Sequence, residues 1–135
     1  MLRERSLEDR IAVDSAGTAD YHIGERPDPR TIRNASLNGV ELPSRARQFG
    51  IADFEKFAYI IPMDSSNLGN IEYLERHSNA NGYAIIKMRH FDDQGKDQDV
   101  PDPYYGGEQG FQEVFEILHR SCNNFLNYLV EKHRL

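Results

Sequence analysis

The sequence has 135 residues, 16 of them basic and 22 acidic, and its formal net charge is −6. A chain of this length is typical of one domain, here residues 1–135. The acidic balance argues against a general nucleic-acid or anionic-membrane binder, and the single cysteine, Cys122, excludes an intramolecular disulfide or a multi-cysteine metal site. No apolar run approaches the length of about 18 residues that a membrane span needs, and a lone thiol with a charged N-terminus is typical of a cytoplasmic protein.

The first part of the chain predicts one strand and two helices. Residues 10–15 are a short strand candidate. Asp28 followed by Pro29 is typical of a helix N-cap and first helical position, and that helix is predicted to end before Gly39. Residues 53–57 are predicted to form a second, short helix.

The second part of the sequence predicts two strands. A helix follows the first strand, and a long loop follows the second. Residues 57–63 are almost all apolar, as in a strand covered on both faces, and residues 83–88 are a third strand candidate. Apolar residues at intervals of three and four predict a final helix that begins near Phe111. Residues 89–110, between the third strand candidate and the final helix, form a polar loop that we expect to be solvated. The loop contains five aspartates: Asp92, Asp93, Asp97, Asp99 and Asp102.

Alternating strands and helices predict an α/β domain with a small parallel sheet. In such sheets ligands bind beyond the carboxyl ends of the strands. The segments to search for a site are therefore residues 15–28, 63–67 and 88–107. The five histidines are scattered without the spacing of metal ligands, so we expect neither a metal nor another cofactor.

Asp102 is the most distinctive candidate for chemistry. Pro101 and Pro103 restrict the backbone on both sides of it, and Tyr104 and Tyr105 follow directly. Aromatic surface is expected to limit hydration of the carboxylate and favour its protonated form, as a general acid requires. A rigid turn that caps the final helix accounts for the same residues without any chemistry.

Two further segments admit a functional and a purely structural interpretation. Asp64 and Asn67, after the buried strand, could orient a site or could serve only as the N-cap region of the next helix. Tyr21 and His22 could line an aromatic pocket or lie in an ordinary surface loop. Cys122 falls on the apolar stripe of the last helix, which favours a core thiol.

Taken together and in order, these segments resemble the low-molecular-weight protein tyrosine phosphatase family. The resemblance covers the chain from about Leu7 to the C-terminus. It depends on six segments: Val13-Asp14-Ser15-Ala16-Gly17-Thr18, Tyr21-His22-Ile23-Gly24, Pro27-Asp28-Pro29-Arg30, Arg45-Ala46-Arg47-Gln48, Met63-Asp64-Ser65-Ser66-Asn67-Leu68 and Asp102-Pro103-Tyr104-Tyr105-Gly106.

The resemblance implies a small parallel sheet with helices on both faces and a metal-free hydrolysis of phosphotyrosine in proteins, or of small aryl phosphates. In the family a cysteine thiolate attacks phosphorus and an aspartate protonates the leaving phenolate. By the matching motifs, that aspartate is Asp102. The other implied site residues are the aromatic walls Tyr104, Tyr105, Tyr21 and His22, and the polar groups Ser15, Asp64 and Asn67, which brace the phosphate loop and the acid loop.

One part of the family pattern is missing from this sequence. The family's first strand and its Cys-x5-Arg phosphate loop precede the region of resemblance, and the residue six places after Cys122 is Tyr128, not arginine. We therefore expect an N-terminally incomplete domain that is inactive by itself and associates through unpaired strand edges. The alternative is a non-catalytic, phosphatase-like binding or regulatory protein.

Overall fold

The computed structural model describes the backbone of all 135 residues and every side chain except that of Tyr105. Helices dominate it, and the sheet is small. In chain order the elements are α1 (Pro29–Leu37), α2 (Asp53–Lys56), β1 (Tyr59–Ile60), α3 (Ser65–Glu75), β2 (Ala84–Ile85) and α4 (Gly107–His133). Short 3-10 turns span Arg3–Arg5, Met88–Phe91 and Pro103–Tyr105.

Helix α1 begins and ends as the sequence predicts. The Asp28 carboxylate accepts a hydrogen bond from the backbone N–H of Arg30 at 2.8 Å, and Pro29 occupies the first turn. Beyond the C-cap residue Asn38, Gly39 has a φ of +80°, a conformation that glycine adopts without the steric penalty of a Cβ. The predicted helix boundaries are therefore confirmed.

Strands β1 and β2 form a parallel pair at the centre of the two predicted strand segments. Tyr59 pairs with Ala84 and Ile60 with Ile85, and the ladder continues with a hydrogen bond from Met88 N to the Pro62 carbonyl at 2.9 Å. Each strand is shorter than its apolar run. The parallel α/β arrangement predicted from the sequence is confirmed, with two strands in place of the longer segments.

The strand predicted at residues 10–15 is wrong. These residues have no regular secondary structure, and Val13 is 75% exposed. Just beyond them, Gly17 forms a single parallel bridge with Gln48. A strand needs a neighbour for its backbone groups and its apolar side chains, and the described residues provide none along residues 10–15.

The core is built where the helices cover the sheet. Phe54, Ile60 and Ile71 form a buried cluster. Helix α4 buries Phe111, Leu126 and Leu129 from its predicted apolar stripe, together with Ile117. Over the part of the chain that the structure describes, none of the helices combines the length and apolar character needed to cross a membrane.

The loop over residues 89–110 differs from the solvated segment expected. Two 3-10 turns interrupt it, and α4 begins inside it at Gly107. Asp92 is fully buried, with 0% of its surface exposed. A buried carboxylate must be paired, and its partners, described below, anchor the loop to α4.

Candidate active site

Two of the three segments that were expected to form the site lie against each other. The Asp99 carboxylate accepts hydrogen bonds from the backbone N–H of Ser65 at 3.0 Å and from its hydroxyl at 2.9 Å. Val100 N donates to the carbonyl of Met63 at 2.8 Å. The residues just before Asp102 are thereby held at the end of β1, which is where ligands of parallel sheets bind.

The third segment reaches the same region through Thr18. Its hydroxyl oxygen accepts hydrogen bonds from the side chains of Asn67, at 3.3 Å, and Asn70, at 3.4 Å. Asp64 caps α3, with its carboxylate accepting from Asn67 N at 2.7 Å. Asp64 therefore caps the helix, and Asn67 ties a neighbouring loop to it. That the two residues orient a catalytic site stays a prediction.

Ser15 lines a cavity of about 220 Å³ together with residues 16–17, 25–27 and 44–47. Three arginines, Arg26, Arg45 and Arg47, and one glutamate, Glu25, stand in its wall. Arg45 donates to the Gly24 carbonyl at 3.2 Å, and Arg47 pairs with Asp14 and Asp53 at 3.0 Å each. Hydrogen bonding to Asp53 is the main cause that raises the pKa of Arg47. The cavity wall is therefore cationic but partly neutralised.

Asp102 is exposed, so the expected partial desolvation of its carboxylate is wrong for this structure. The side chain accepts a hydrogen bond from Tyr104 N at 2.9 Å and caps the Pro103–Tyr105 turn. Gly106 lets this turn close onto α4, because a Cβ there would lie 2.8 Å from the Cα of Gly110. The predicted turn is thus present and leads into α4, but Asp102 caps the turn itself and α4 has no side-chain cap among the described residues.

Tyr104 is held from the side of α1. The Arg30 guanidinium lies 5.1 Å from the centre of the Tyr104 ring and 5.1 Å from that of Phe111, while it also pairs with Asp28 at 2.8 Å. A cation over an aromatic face is attracted by the ring quadrupole. Arg30 therefore joins the start of α1 to the turn that follows Asp102. The Tyr105 side chain lies outside the described residues.

Tyr21 and His22 lie in an exposed loop. Their rings meet edge to face with centroids 4.6 Å apart, and His22 Nδ1 is 2.7 Å from a carboxylate oxygen of Glu25. With Tyr21 74% exposed, these side chains can meet a ligand. Their role as the facing wall of an aromatic slot stays a prediction.

The neighbouring aspartates are already engaged. Asp99 pairs with Lys87 at 2.6 Å, and hydrogen bonds from Lys87 and then Ser65 lower the pKa of its carboxyl. Asp97 lies 2.8 Å from Nδ1 of His90. A carboxylate held in its charged form by a lysine is a poor proton donor at neutral pH. That Asp102 is the proton donor of this loop stays a prediction.

A buried ion-pair network anchors the whole loop, and sequence reasoning missed it. The Asp92 carboxylate accepts from Arg120 at 2.7 and 3.1 Å, from Arg89 at 2.9 Å and from Gln94 N at 3.0 Å. These contacts, with Arg120 first, lower the pKa of Asp92 to about 2. Arg89 also donates to the Asp99 carbonyl at 3.1 Å. One feature of the sequence does indicate this network. Arg120 is a charged residue three positions after Ile117, on the apolar side of α4, where it needs a buried partner.

Cys122 does not have the environment of a nucleophile. Its Sγ lies 3.9 Å from Sδ of Met88, and burial raises the pKa of the thiol. Catalytic thiols have the opposite shift, so the predicted core assignment agrees with the geometry. Among the described residues, no three His, Cys, Asp or Glu side chains form a group that could hold a metal ion.

Comparisons with known proteins agree on one family. The family model described as "Low molecular weight phosphotyrosine protein phosphatase" matches residues 1–135. A low molecular weight phosphotyrosine protein phosphatase of Dictyostelium discoideum is 39% identical over 141 residues, covering 93% of this chain and 79% of that protein. Its counterpart in Schizosaccharomyces pombe is 36% identical over 126 residues, covering 93% and 80%. The crystal structure of a protein tyrosine phosphatase from Entamoeba histolytica superposes with a TM-score of 0.84 at 34% identity, covering 99% and 84%.

Proposed function

The chain belongs to the low molecular weight phosphotyrosine protein phosphatase family, and from that premise we propose that its 135 residues supply the general acid and the aromatic walls of a phosphotyrosine phosphatase site. The nucleophilic thiolate and the phosphate-binding loop come from a Cys-x5-Arg segment that is not among these residues. The substrate is phosphotyrosine in a protein, or a small aryl phosphate.

The observation that carries this proposal is the presentation of Asp102. Its turn is anchored on one side by the Asp99–Ser65 and Val100–Met63 hydrogen bonds. On the other side, Arg30 lies over the ring of Tyr104. A carboxyl group held at fixed geometry suits proton transfer to a phenolate leaving group.

In the proposed reaction, a thiolate attacks phosphorus and the P–O bond to the phenol breaks. Asp102 donates its proton to the departing phenolate oxygen, which gives a neutral phenol. The Asp102 carboxylate then accepts a proton from water as that water attacks the phosphorus of the cysteinyl phosphate. Breakage of the S–P bond releases inorganic phosphate and restores the thiolate.

Three observations argue against Cys122 as this nucleophile. Burial raises its pKa, its sulfur contacts Met88, and Tyr128 stands where the family motif requires arginine. We therefore propose that the 135-residue chain alone does not hydrolyse phosphotyrosine, because it lacks both the thiolate and the amides that stabilise the developing charge.

The test compares two proteins on p-nitrophenyl phosphate and phosphotyrosine. One is the 135-residue chain, and the other carries an N-terminal strand followed by a Cys-x5-Arg-Ser loop. We expect turnover only in the extended protein, abolished by replacing the loop cysteine with serine and unaffected by Cys122→Ser. Turnover by the 135-residue chain that disappears with Cys122→Ser would contradict the proposal.

A second candidate is a phosphatase-like protein that binds without catalysis. A relative without the Cys-x5-Arg loop would bind partners through the same aromatic residues without turning them over. The same pair of proteins separates the two candidates, since an extended protein that folds but remains inactive favours the binding role.

A further inference from the structure

The exposed face of α1 and the loop before it form a groove that the proposed reaction does not use. We name it the Arg26–Arg33 groove. Its volume is about 490 Å³, within the range of ligand pockets. It is lined by Arg26, Pro27, Pro29, Ile32, Arg33, Ser36 and Leu37.

The groove lies on the side of α1 that does not pack on α4. The packed side buries Ala35 and joins Asn34 and Asn38 to Gln112 through hydrogen bonds of 3.0 and 2.9 Å. On the groove side Leu37 is 78% exposed. Because Leu37 is so open to solvent and lines the groove with the half-buried Ile32, it offers a contact for another apolar group.

The groove is cationic in an acidic protein. Its lining holds two guanidinium groups and no carboxylate. Residues 26–47 contain five arginines and two acidic residues, a local net charge of +3 against −6 for the chain. The Asp28 carboxylate is bound by Arg30, and Arg33 meets Glu108 only at 4.0 Å, with both side chains at least 75% exposed. Such a contact is weak enough for a ligand carboxylate to replace.

The groove is continuous with the cavity beside Ser15. Arg26 and Pro27 line both, so a peptide bound in the groove lies within two residues of the cavity wall. We infer that the Arg26–Arg33 groove binds an acidic peptide segment that flanks the phosphotyrosine of a substrate protein. Carboxylates of the segment pair with Arg26 and Arg33, and an apolar side chain packs on Ile32 and Leu37. This inference rests on the proposed phosphatase function for the identity of the peptide.

The test is a fluorescence-anisotropy titration with the 135-residue chain, at concentrations where sedimentation velocity shows a monomer. The probe is a labelled peptide with a central phosphotyrosine, flanked on each side by glutamates and one leucine. The comparison peptide has glutamine at every glutamate. At about 50 mM salt we expect the acidic peptide to bind about tenfold tighter, the effect of two exposed ion pairs, and the difference to vanish near 0.5 M salt, where the Debye length is only a few ångströms.

A charge-matched pair of variants locates the interaction. Arg26→Gln with Arg33→Gln is expected to remove the preference for the acidic peptide. Arg10→Gln with Arg76→Gln, which makes the same change of net charge at exposed positions elsewhere, is expected to keep it. Leu37→Ser should weaken the binding of both peptides about equally.

Equal binding of the two peptides by the unmodified chain would overturn the inference. So would equal losses in the two double variants, because general attraction would then explain the preference. If the groove double variant changes self-association but not peptide binding, the occupant is a second copy and the inference is wrong. These binding measurements need no turnover. Their outcome is therefore independent of whether the extended protein proves to be a phosphatase.

Discussion

The guanidinium of Arg120 donates two hydrogen bonds, at 2.7 and 3.1 Å, to the fully buried carboxylate of Asp92, 28 residues earlier in the chain. This pair joins α4 to the loop that carries Asp102. Arg89 extends the connection by bonding both Asp92 and the Asp99 carbonyl. The loop segment just before the candidate acid is therefore held by a residue of α4.

Asp92→Asn should destabilise the protein by about 3 kcal/mol, because it removes the charge that compensates two arginines at a buried site. The measurement is urea unfolding at pH 7. Asp93→Asn is the matched control, since Asp93 is exposed and such substitutions change stability by only about 0.5 kcal/mol. Equal effects of the two substitutions would show that the ion pair does not stabilise the fold.

Stability should also fall in acid through Asp92. The pKa of its carboxyl is about 2 in the folded protein, against an ordinary value of 3.8. The unfolded chain therefore binds the proton more readily. The contribution, about 2 kcal/mol, is fully present above about pH 5 and is lost as the pH falls toward 2. Urea midpoints measured between pH 7 and pH 2 should decline less steeply in Asp92→Asn. Parallel declines in the two proteins would contradict the pKa.

Gly95→Ala tests the other arm of the same network. A Cβ at Gly95 would overlap the guanidinium of Arg89, so this buried group must leave its place between Asp92 and the Asp99 carbonyl. We expect a loss of about 1–3 kcal/mol from this overpacking, read from urea unfolding. Gly50→Ala is the control, since a Cβ there meets nothing within 4 Å. A neutral Gly95→Ala would mean that Arg89 has another position of equal energy.

Interactions between neighbours in sequence were predictable, and interactions across the fold were not. The Asp28 and Asp64 caps follow from residues two or three positions apart. Asp92 looked like one of several solvated aspartates because its partner Arg120 lies on a distant helix. The strand predicted at residues 10–15 had the right residue types, but a strand also needs a partner. For the site, the Asp102 turn was predicted correctly, whereas its exposure depends on how the loop is anchored.

We expect the 135-residue chain to associate with itself. Its described sheet consists of β1 and β2 alone, and two-stranded sheets are marginally stable with edges open to pairing. Sedimentation velocity over a concentration series around 10 µM should show growing species, a range in which exposed edges associate. The extended protein with an added N-terminal strand should be monomeric. A 135-residue chain that stays monomeric and unfolds cooperatively would contradict this expectation.

The last prediction concerns Asp102 in the extended protein that carries the Cys-x5-Arg loop. Asp102→Asn should lower turnover of phosphotyrosine by about 10²–10⁴-fold, the usual size of general acid catalysis. The loss should shrink for aryl phosphates with acidic leaving groups, which depart without protonation. Steady-state kinetics across a series of leaving groups measure both effects.

Asp97→Asn and Asp99→Asn are the matched comparisons, since each removes one carboxylate charge from the same loop. Asp99 is bound by Lys87 and Ser65, so its loss should disturb the loop and lower turnover equally for all leaving groups. Asp97 contacts His90 near the surface, so its loss should have little effect. A steep dependence on the leaving group is the property of the proton donor alone. If that dependence appears in Asp99→Asn while Asp102→Asn keeps near-normal turnover on every substrate, Asp99 is the acid and our assignment is wrong.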